Sequence, residues 1–226
     1  ASASTRKLII TVPASAPVLY YWCSIHSGMG GQINTNTTLG SSNFAGSRQA
    51  TTKVNATAGF SIVTSTSGGS SSGTYDSYGH GLGVAPNVII LKNRDINDNW
   101  YIYTSNFSTA YSKILQFNTV AETSSSNFWG TSDPTSTTFS INQGSPYSGA
   151  GQKMVAYCFS EVAGYSKFGI FVGNGNNNGT FVYTGFKISW LMIKNASNGS
   201  AYWLMLDNKR RTFNPNGPSS SLYPNE

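Results

Sequence analysis

Short apolar runs and apolar/polar alternations recur along this chain, each bounded by Gly, Pro, Asn, Asp or Ser. KLIITV (7–12) and VLYYWC (18–23), joined by ASAP, predict a β-hairpin. Residues 31–58 are rich in Ser, Thr and Asn with few apolar anchors, which predicts a linker or loosely packed extension. From Gly59 the pattern changes. GFSIVTSTSG runs as a strand into a Gly/Ser loop, VAPNVIILKN reads as a strand buried on both faces, and WYIYTS follows the turn RDINDN. SKILQFNT, TTFSIN and KMVAYCFSEV supply further strands. No segment sustains apolar residues at i, i+3, i+4 and i+7 with caps, so almost no helix is expected. Many short strands at regular spacing predict an all-β fold, a sandwich or jelly roll.

An internal repeat overlies this pattern. GVAPNVIILKN (83–93) aligns with GFKISWLMIKN (185–195) at a constant offset of 102 residues. FSIVTSTSGGSSSGT (60–74) resembles FGIFVGNGNNNGT (168–180), NDNWYIYTSN (97–106) matches GSAYWLMLDN (199–208) after a one-residue insertion, and LQFNTVAE (115–122) is echoed by the final LYPNE. The second copy carries no counterpart of TTFSIN or KMVAYCFSEV. A strand set that lacks its neighbours leaves an open sheet edge, and open edges recruit other strands. The expectation is that a neighbouring chain, or a continuation of this one, pairs there.

Composition narrows the class. Only 10% of residues are charged while 13% are aromatic, so hydroxyls and amides rather than Glu and Lys must cover the surface, as suits strands and turns. The net charge of +6 is scattered, with one cluster at Lys209–Arg211, which is not the positive stripe that nucleic acid requires. A mild excess of cations suits approach to an anionic cell envelope. No run reaches the ~18 apolar residues of a membrane span, so no membrane insertion is expected. Cys23 and Cys158 fit neither a disulfide framework nor a zinc pattern and read as thiols. Without an initial Met or a signal peptide, the chain reads as processed or cut from something longer.

TAGFSIV, GHGLGVAPNVIILKNR, VAYCFSEVAGYSKFG, FVYTGFKISWLMIKN and LYPN together resemble a concanavalin A-like domain that recurs in tail-fibre and other virion-surface proteins of marine bacteriophages. The resemblance covers roughly residues 46–226. It implies a lectin-like jelly-roll sandwich, a place on the virion surface, and adhesion to a host cell-surface glycan. The chain departs from the family by ending early, which bears on the second repeat copy. The expected organisation is a hairpin fragment at 1–32, a linker at 33–58 and the sandwich at 59–226, with repeat copies at about 60–160 and 168–226.

The opening stretch resembles the last two strands of a cupredoxin-like domain. Cys23-x-x-His26-x-x-Met29 matches the loop in which a thiolate, an imidazole and a weak axial thioether meet at copper. The second equatorial histidine of such a centre has no counterpart among the 22 residues before Cys23. The other histidine, His80, belongs to the GHGLG loop. The reading is a hairpin that keeps its family residues, with no metal and no cofactor; a copper module would need the missing ligand from another chain or a cleaved segment.

Catalysis is not expected. His26 and His80 lie in separate modules outside any nucleophile motif. The acidic residues (Asp76, Asp95, Asp98, Glu122, Asp133, Glu161, Asp207, Glu226) include no paired carboxylates of the kind that cleave a glycosidic bond. GNGNNNGT (173–180) lacks the Lys-Ser/Thr and the helix of a phosphate loop and reads as a turn. Sugar binding remains, by aromatic faces flanked with amides and carboxylates. The candidates are Asp98, Asn99, Trp100 and Tyr103, with Tyr101 beside them, the repeat-related Trp203, Asp207 and Asn208, and the loop residues Trp129 and Tyr147. Core packing is the competing role for each strand aromatic. The stretch 95–99, DINDN, carries oxygens of the kind a Ca²⁺ site uses, and short Asx turns present the same residues. The expected protein is a non-enzymatic, homo-oligomeric virion component that contacts other virion proteins and a glycan. A purely architectural fibre-shaft or capsid-decoration role is the alternative.

Overall fold

The computed structural model describes residues 16–27, 30–33, 40–69, 71, 73–117, 123–124, 127–144, 149–209 and 222–224. Along the chain run β1 (Leu19–Trp22), β2 (Gly30–Ile33), β3 (Ser41–Asn43), β4 (Ala50–Asn55), β5 (Phe60–Thr66), β6 (Tyr75–Gly79), β7 (Val88–Asn93), β8 (Trp100–Thr104), β9 (Lys113–Gln116), β10 (Thr123–Ser124), β11 (Thr138–Asn142), β12 (Lys153–Phe159), β13 (Trp190–Ile193) and β14 (Leu204–Asp207). The helical content among the described residues is a single 3₁₀ turn at Ala110–Ser112. The fold is all-β, as the alternation predicts.

Eight strands form one antiparallel sheet in the order β10-β9-β8-β7-β12-β5-β4-β3. β12 is its centre, paired along its length with β5 on one side and with β7 on the other. Because successive side chains point to opposite faces, Met154, Ala156 and Cys158 of β12 share a face with Val63, Ile89, Leu91, Tyr101, Tyr103 and Ile114, and all are buried. Tyr78, Phe139 and Ile141 of the β6–β11 pair close over that face, joined by Leu82, Phe128 and Trp129. The result is a sandwich-like core between the large sheet and a smaller layer.

The opposite face of the large sheet is covered at one end by the β13–β14 hairpin. Trp203 buries against Ile102 and Leu115, with Met192 packed beside it, and donates its indole N–H to the Gln116 carbonyl at 2.7 Å. This hairpin and β7–β8 are built alike. Val88 faces Thr104 and Ile90 faces Ile102; Trp190 faces Asp207 and Met192 faces Met205 at the corresponding places. Ile102 pairs with Leu115 of β9, and Met205 bridges to Leu222 in the same sense.

Two expectations need correction. Within 33–58, expected as a linker or loosely packed extension, Ser41–Asn43 and Ala50–Asn55 are strands of the large sheet: Ala50 and Thr52 are buried and β4 pairs with β5 over six residues. The preceding turn is pressed against β6, where Arg48 bridges to Tyr78 and a Cβ on Gly46 would collide with the Ser77 carbonyl. Small β-branched and hydroxyl side chains fill this part of the sheet, so it carries no apolar signature. The first hairpin also differs: β1 pairs with β2 across the Cys23–His26 loop, while residues 7–12 lie outside the described residues.

The thiols occupy contrasting places. Burial pushes Cys158 up to about 12, with the Ser61 hydroxyl opposing weakly, so it carries no thiolate at neutral pH. Cys23 is partly exposed. With a chromogenic disulfide reagent at neutral pH, one thiol per native chain is expected to react, and both after denaturation. Two fast-reacting thiols in the native protein would place Cys158 outside the core.

Candidate functional site

At the β7–β8 turn the sequence candidates Asp98, Asn99 and Trp100 come together. The turn is held from within by Lys92, whose ammonium donates to the carbonyls of Asp98 at 2.6 Å and Ile96 at 3.4 Å. Lys194 performs the same service in the β13–β14 turn, donating to Ala201 at 2.7 Å and also to Asn195 and Asn198. A lysine ammonium thus takes the loop oxygens that a Ca²⁺ ion would need. Asp95 and Asp98 are likewise engaged: Asp95 accepts from the Lys153 N–H at 2.6 Å, and Asp98 Oδ1 accepts from the Asn99 N–H and the Tyr101 hydroxyl, both at 2.7 Å. These bonds tie the turn to β12 and β8, while Asp98 Oδ2 is buried with no hydrogen-bond partner among the described residues.

Trp100 is the accessible member, 38% exposed. It leans across β7 to stack on Tyr157 of β12, with ring centroids 6.3 Å apart and planes 21° apart, and it meets Phe117 edge-on. Phe117 in turn meets Trp203 at 5.1 Å. Further along β12, Phe159 lies against Phe60 at 4.9 Å and Phe168 at 6.3 Å. A row of aromatic rings therefore crosses the face of the large sheet opposite its core. At the far end is an open depression of about 310 Å³ lined by Phe60, Phe159, Phe168, Tyr165, Asn55 and Ser166. This depression is not among the sequence candidates. Its signal was present: Phe159 shares the parity of Tyr157 on β12, and Phe60 is its register partner.

The remaining candidates are placed otherwise. Tyr103 and Trp129 are buried on the core face, 5.8 Å apart and edge-on, and offer no surface to a sugar. Tyr101 is buried beside Phe128. Burial, with the Asp133 carboxylate next to it, pushes the Tyr103 hydroxyl well above its ordinary value. Trp203 is 4% exposed and pins the hairpin to the sheet. Asp207, at the end of β14, is partly buried and accepts from the Lys209 N–H at 3.0 Å. Asn208 is exposed and donates to the Ser189 hydroxyl; Tyr147 lies outside the described residues. Core packing claims Tyr103, Trp129 and Trp203 because each points from its backbone into an apolar layer, which a sequence cannot orient.

The histidines take separate roles. His80 is fully buried: Leu82 donates its N–H to Nδ1 at 3.2 Å, so Nε2 carries the proton and donates to the Thr135 carbonyl at 3.1 Å. Burial holds its pKa below the ordinary value against that last bond, which keeps the ring neutral. At the exposed tip of the first hairpin, Cys23 Sγ and His26 Nδ1 are 3.3 Å apart, and Met29 lies outside the described residues. Among the described residues no three His, Cys, Asp or Glu side chains gather as a metal site. The pair supplies one thiolate and one imidazole of the three strong equatorial ligands that a cupredoxin copper requires, so the described residues do not fit that metal.

Buried Asp76 is the most heavily bonded carboxylate among the described residues. It accepts from the Arg48 guanidinium at 2.9 Å, the Gly68 N–H at 2.8 Å, the Tyr78 hydroxyl at 3.2 Å and the Gln143 amide. Burial alone raises its pKa; those donors outweigh it, and the net is a carboxyl held below its usual range. Every oxygen is committed, so this is a brace between β6 and the loops beside it rather than a reactive group.

Compared with known proteins, neither a curated protein nor a solved structure matches this chain. A family described as a domain of unknown function, DUF7483, matches residues 34–226, the whole sandwich together with the β3–β4 segment that completes its sheet. The chain belongs to the DUF7483 family.

Proposed function

We propose that this protein is a non-enzymatic component of a bacteriophage virion surface, in a tail fibre or comparable appendage, and that it adheres to a host cell-surface glycan as a homo-oligomer. The observation that carries the adhesive part is the exposed Trp100, stacked on Tyr157 beside Asn99, on the face of the large sheet opposite its main core. A pyranose presents an apolar face to such a ring, and neighbouring amides bond its hydroxyls. The platform is shallow, so single contacts are weak and multivalent display supplies the avidity. The concanavalin A-like jelly-roll class and the two-copy architecture are part of this reading, supported by the matched registers of β7–β8 and β13–β14. The non-enzymatic part is supported by His80 and Asp76, whose polar atoms are committed to structural bonds.

A glycan array probed with the full chain and with Trp100→Ala tests the reading. Binding to a defined set of glycans is expected, falling at least tenfold in the variant while the melting temperature stays unchanged. No binding to any glycan would leave the architectural role in its place. Binding that survives Trp100→Ala would move the site elsewhere, first to the Tyr165 depression.

A further inference from the structure

Residues 169–189 contain no strand, yet they carry the most exposed large apolar side chains of the sandwich region among the described residues. Ile170, Phe171 and Val172 on one side of the GNGNNNG turn, and Phe181, Val182 and Tyr183 on the other, face solvent, with Val172 84% and Phe181 85% exposed. The two runs fold back on each other through the Thr180 hydroxyl, which donates to the Val172 carbonyl at 2.7 Å. A contiguous apolar surface of this kind marks an interaction site.

The strand that follows is open as well. Among the described residues β13 pairs only with β14, whereas β7, whose pairs with β8 correspond to those of β13 with β14, also pairs with β12 on its other edge. The faces differ in the same way. Ile89, Leu91, Tyr101 and Tyr103 are buried beneath the β6–β11 layer; the side chains at the corresponding places on β13–β14, Leu191, Ile193, Leu204 and Leu206, remain partly exposed. The β7–β8 hairpin thus displays what β13–β14 accepts: an antiparallel strand on its edge and an apolar layer on its face.

We propose that the occupant is a second copy of this chain, with the 168–184 arm of each copy laid along the free β13 edge and the Leu191–Leu206 face of the other. Every copy holds both halves of this contact, a donor arm and an acceptor edge, so a two-fold arrangement satisfies both at once and leaves no open edge to propagate. The charge fits the same occupant. Between Phe168 and Ile193 there is no acidic residue and a single base, Lys187, so a strongly charged partner finds nothing to pair with, while a copy of the segment itself is electrically neutral toward it. Three aromatics of the arm, Phe171, Phe181 and Tyr183, each able to bury roughly 150–250 Å², supply much of the roughly 800 Å² that one partner contributes to a stable interface. This mode is strand addition, in which main-chain bonds give affinity and the alternate side chains give register. It gives a surface to the oligomer of the proposed function and rests on that part of the reading alone, since the Trp100 platform lies on the other module.

The test measures the mass of the full chain by light scattering across micromolar concentrations, together with amide exchange at residues 190–193. Twice the 24.2 kDa chain mass or more is expected, with protection of β13 that rises with concentration. The double variant Val172→Lys/Phe181→Lys changes side chains that are exposed in the single chain, so its melting curve at low concentration should match the parent, its mass should fall to 24.2 kDa, and the protection should vanish. A parent that stays at 24.2 kDa overturns the proposal, and the edge then belongs to a different chain or to a continuation of this one. An oligomer that survives the double variant, or that forms without protecting β13, overturns it equally. Glycan binding is read separately and by a different variant, so failure there leaves this result intact.

Discussion

Trp129→Ala should cost about 3–5 kcal/mol of folding stability, the usual range for emptying a large buried aromatic site. At this chain length each kcal/mol moves the melting temperature by roughly 2–4 °C, so a drop on the order of 10 °C is expected by calorimetry. The physical reason is the position of the ring. Trp129 has no solvent exposure; it meets Phe128 edge-on at 4.6 Å and Tyr103 at 5.8 Å, and Phe128 continues the contact to Tyr101 at 4.8 Å. Removing it opens a cavity between the large sheet and the smaller layer, where rings from a loop and from β8 cannot collapse together. Trp129→Phe discriminates between packing and polarity. The indole N–H is buried and no partner for it is present among the described residues, an arrangement that costs about 1–3 kcal/mol. Phe removes that donor while keeping most of the ring, so its cost should be well under half that of Ala. Equal losses for Ala and Phe would mean that the nitrogen has a bonding role in the core. Trp100→Ala is the contrasting case: its ring is more than a third exposed, and its loss should be felt in binding rather than in melting.

These two tryptophans show where sequence reasoning succeeds and where it stops. Short apolar or alternating runs bounded by turn residues were enough to place β5, β7, β8, β11 and β12. The alignment of 83–93 with 185–195 makes the two segments comparable: each is an antiparallel hairpin, and the four β13–β14 pairs have counterparts in β7–β8, while the two-copy architecture stays part of the proposed reading. Alternation also separates Trp100 and Ile102 from Tyr101 and Tyr103, but it does not say which set faces the core. The repeat misleads at just this point. Trp100 and Trp203 occupy corresponding places, yet Trp203 is buried because its hairpin docks on Ile102 and Leu115, while nothing docks on Trp100 to the same extent. Burial is a property of what packs on a strand, not of the strand. Trp129 sits in a loop with no period at all. Residues 41–55 escaped for the opposite reason: a strand that buries Ala50 and Thr52 and braces itself with Arg48 has strand geometry without strand hydrophobicity.

Asp76→Ala should cost about 3 kcal/mol, within the range for breaking a buried, hydrogen-bonded charge pair. The expected fall in melting temperature is again several degrees. The loss does not come mainly from the Arg48 ion pair, since that guanidinium keeps 43% of its side-chain surface in water and can be solvated there. It comes from the donors left facing an empty site: the Gly68 N–H, the Gln143 amide and the Tyr78 hydroxyl, which a buried carboxylate satisfied together. The exposed pair Lys167–Glu161, at 3.1 Å with both partners substantially in water, serves as the control, and Lys167→Ala should cost under about 1 kcal/mol. The pH dependence follows from the same contacts. The Asp76 carboxyl is held below its unfolded value in the folded state, so its contribution is complete above the unfolded pKa of about 3.9 and is lost as pH falls through the lower folded value. Asp76→Asn keeps the shape and one acceptor oxygen but cannot titrate. The gap in stability between the parent and Asp76→Asn should therefore be constant from neutral pH down to about 4 and shrink below it. Chemical denaturation at a series of pH values reads this directly. A gap that stays constant to pH 2, or that closes already above pH 5, would mean that a different carboxylate carries the acid sensitivity of the fold and that Asp76 is not its brace.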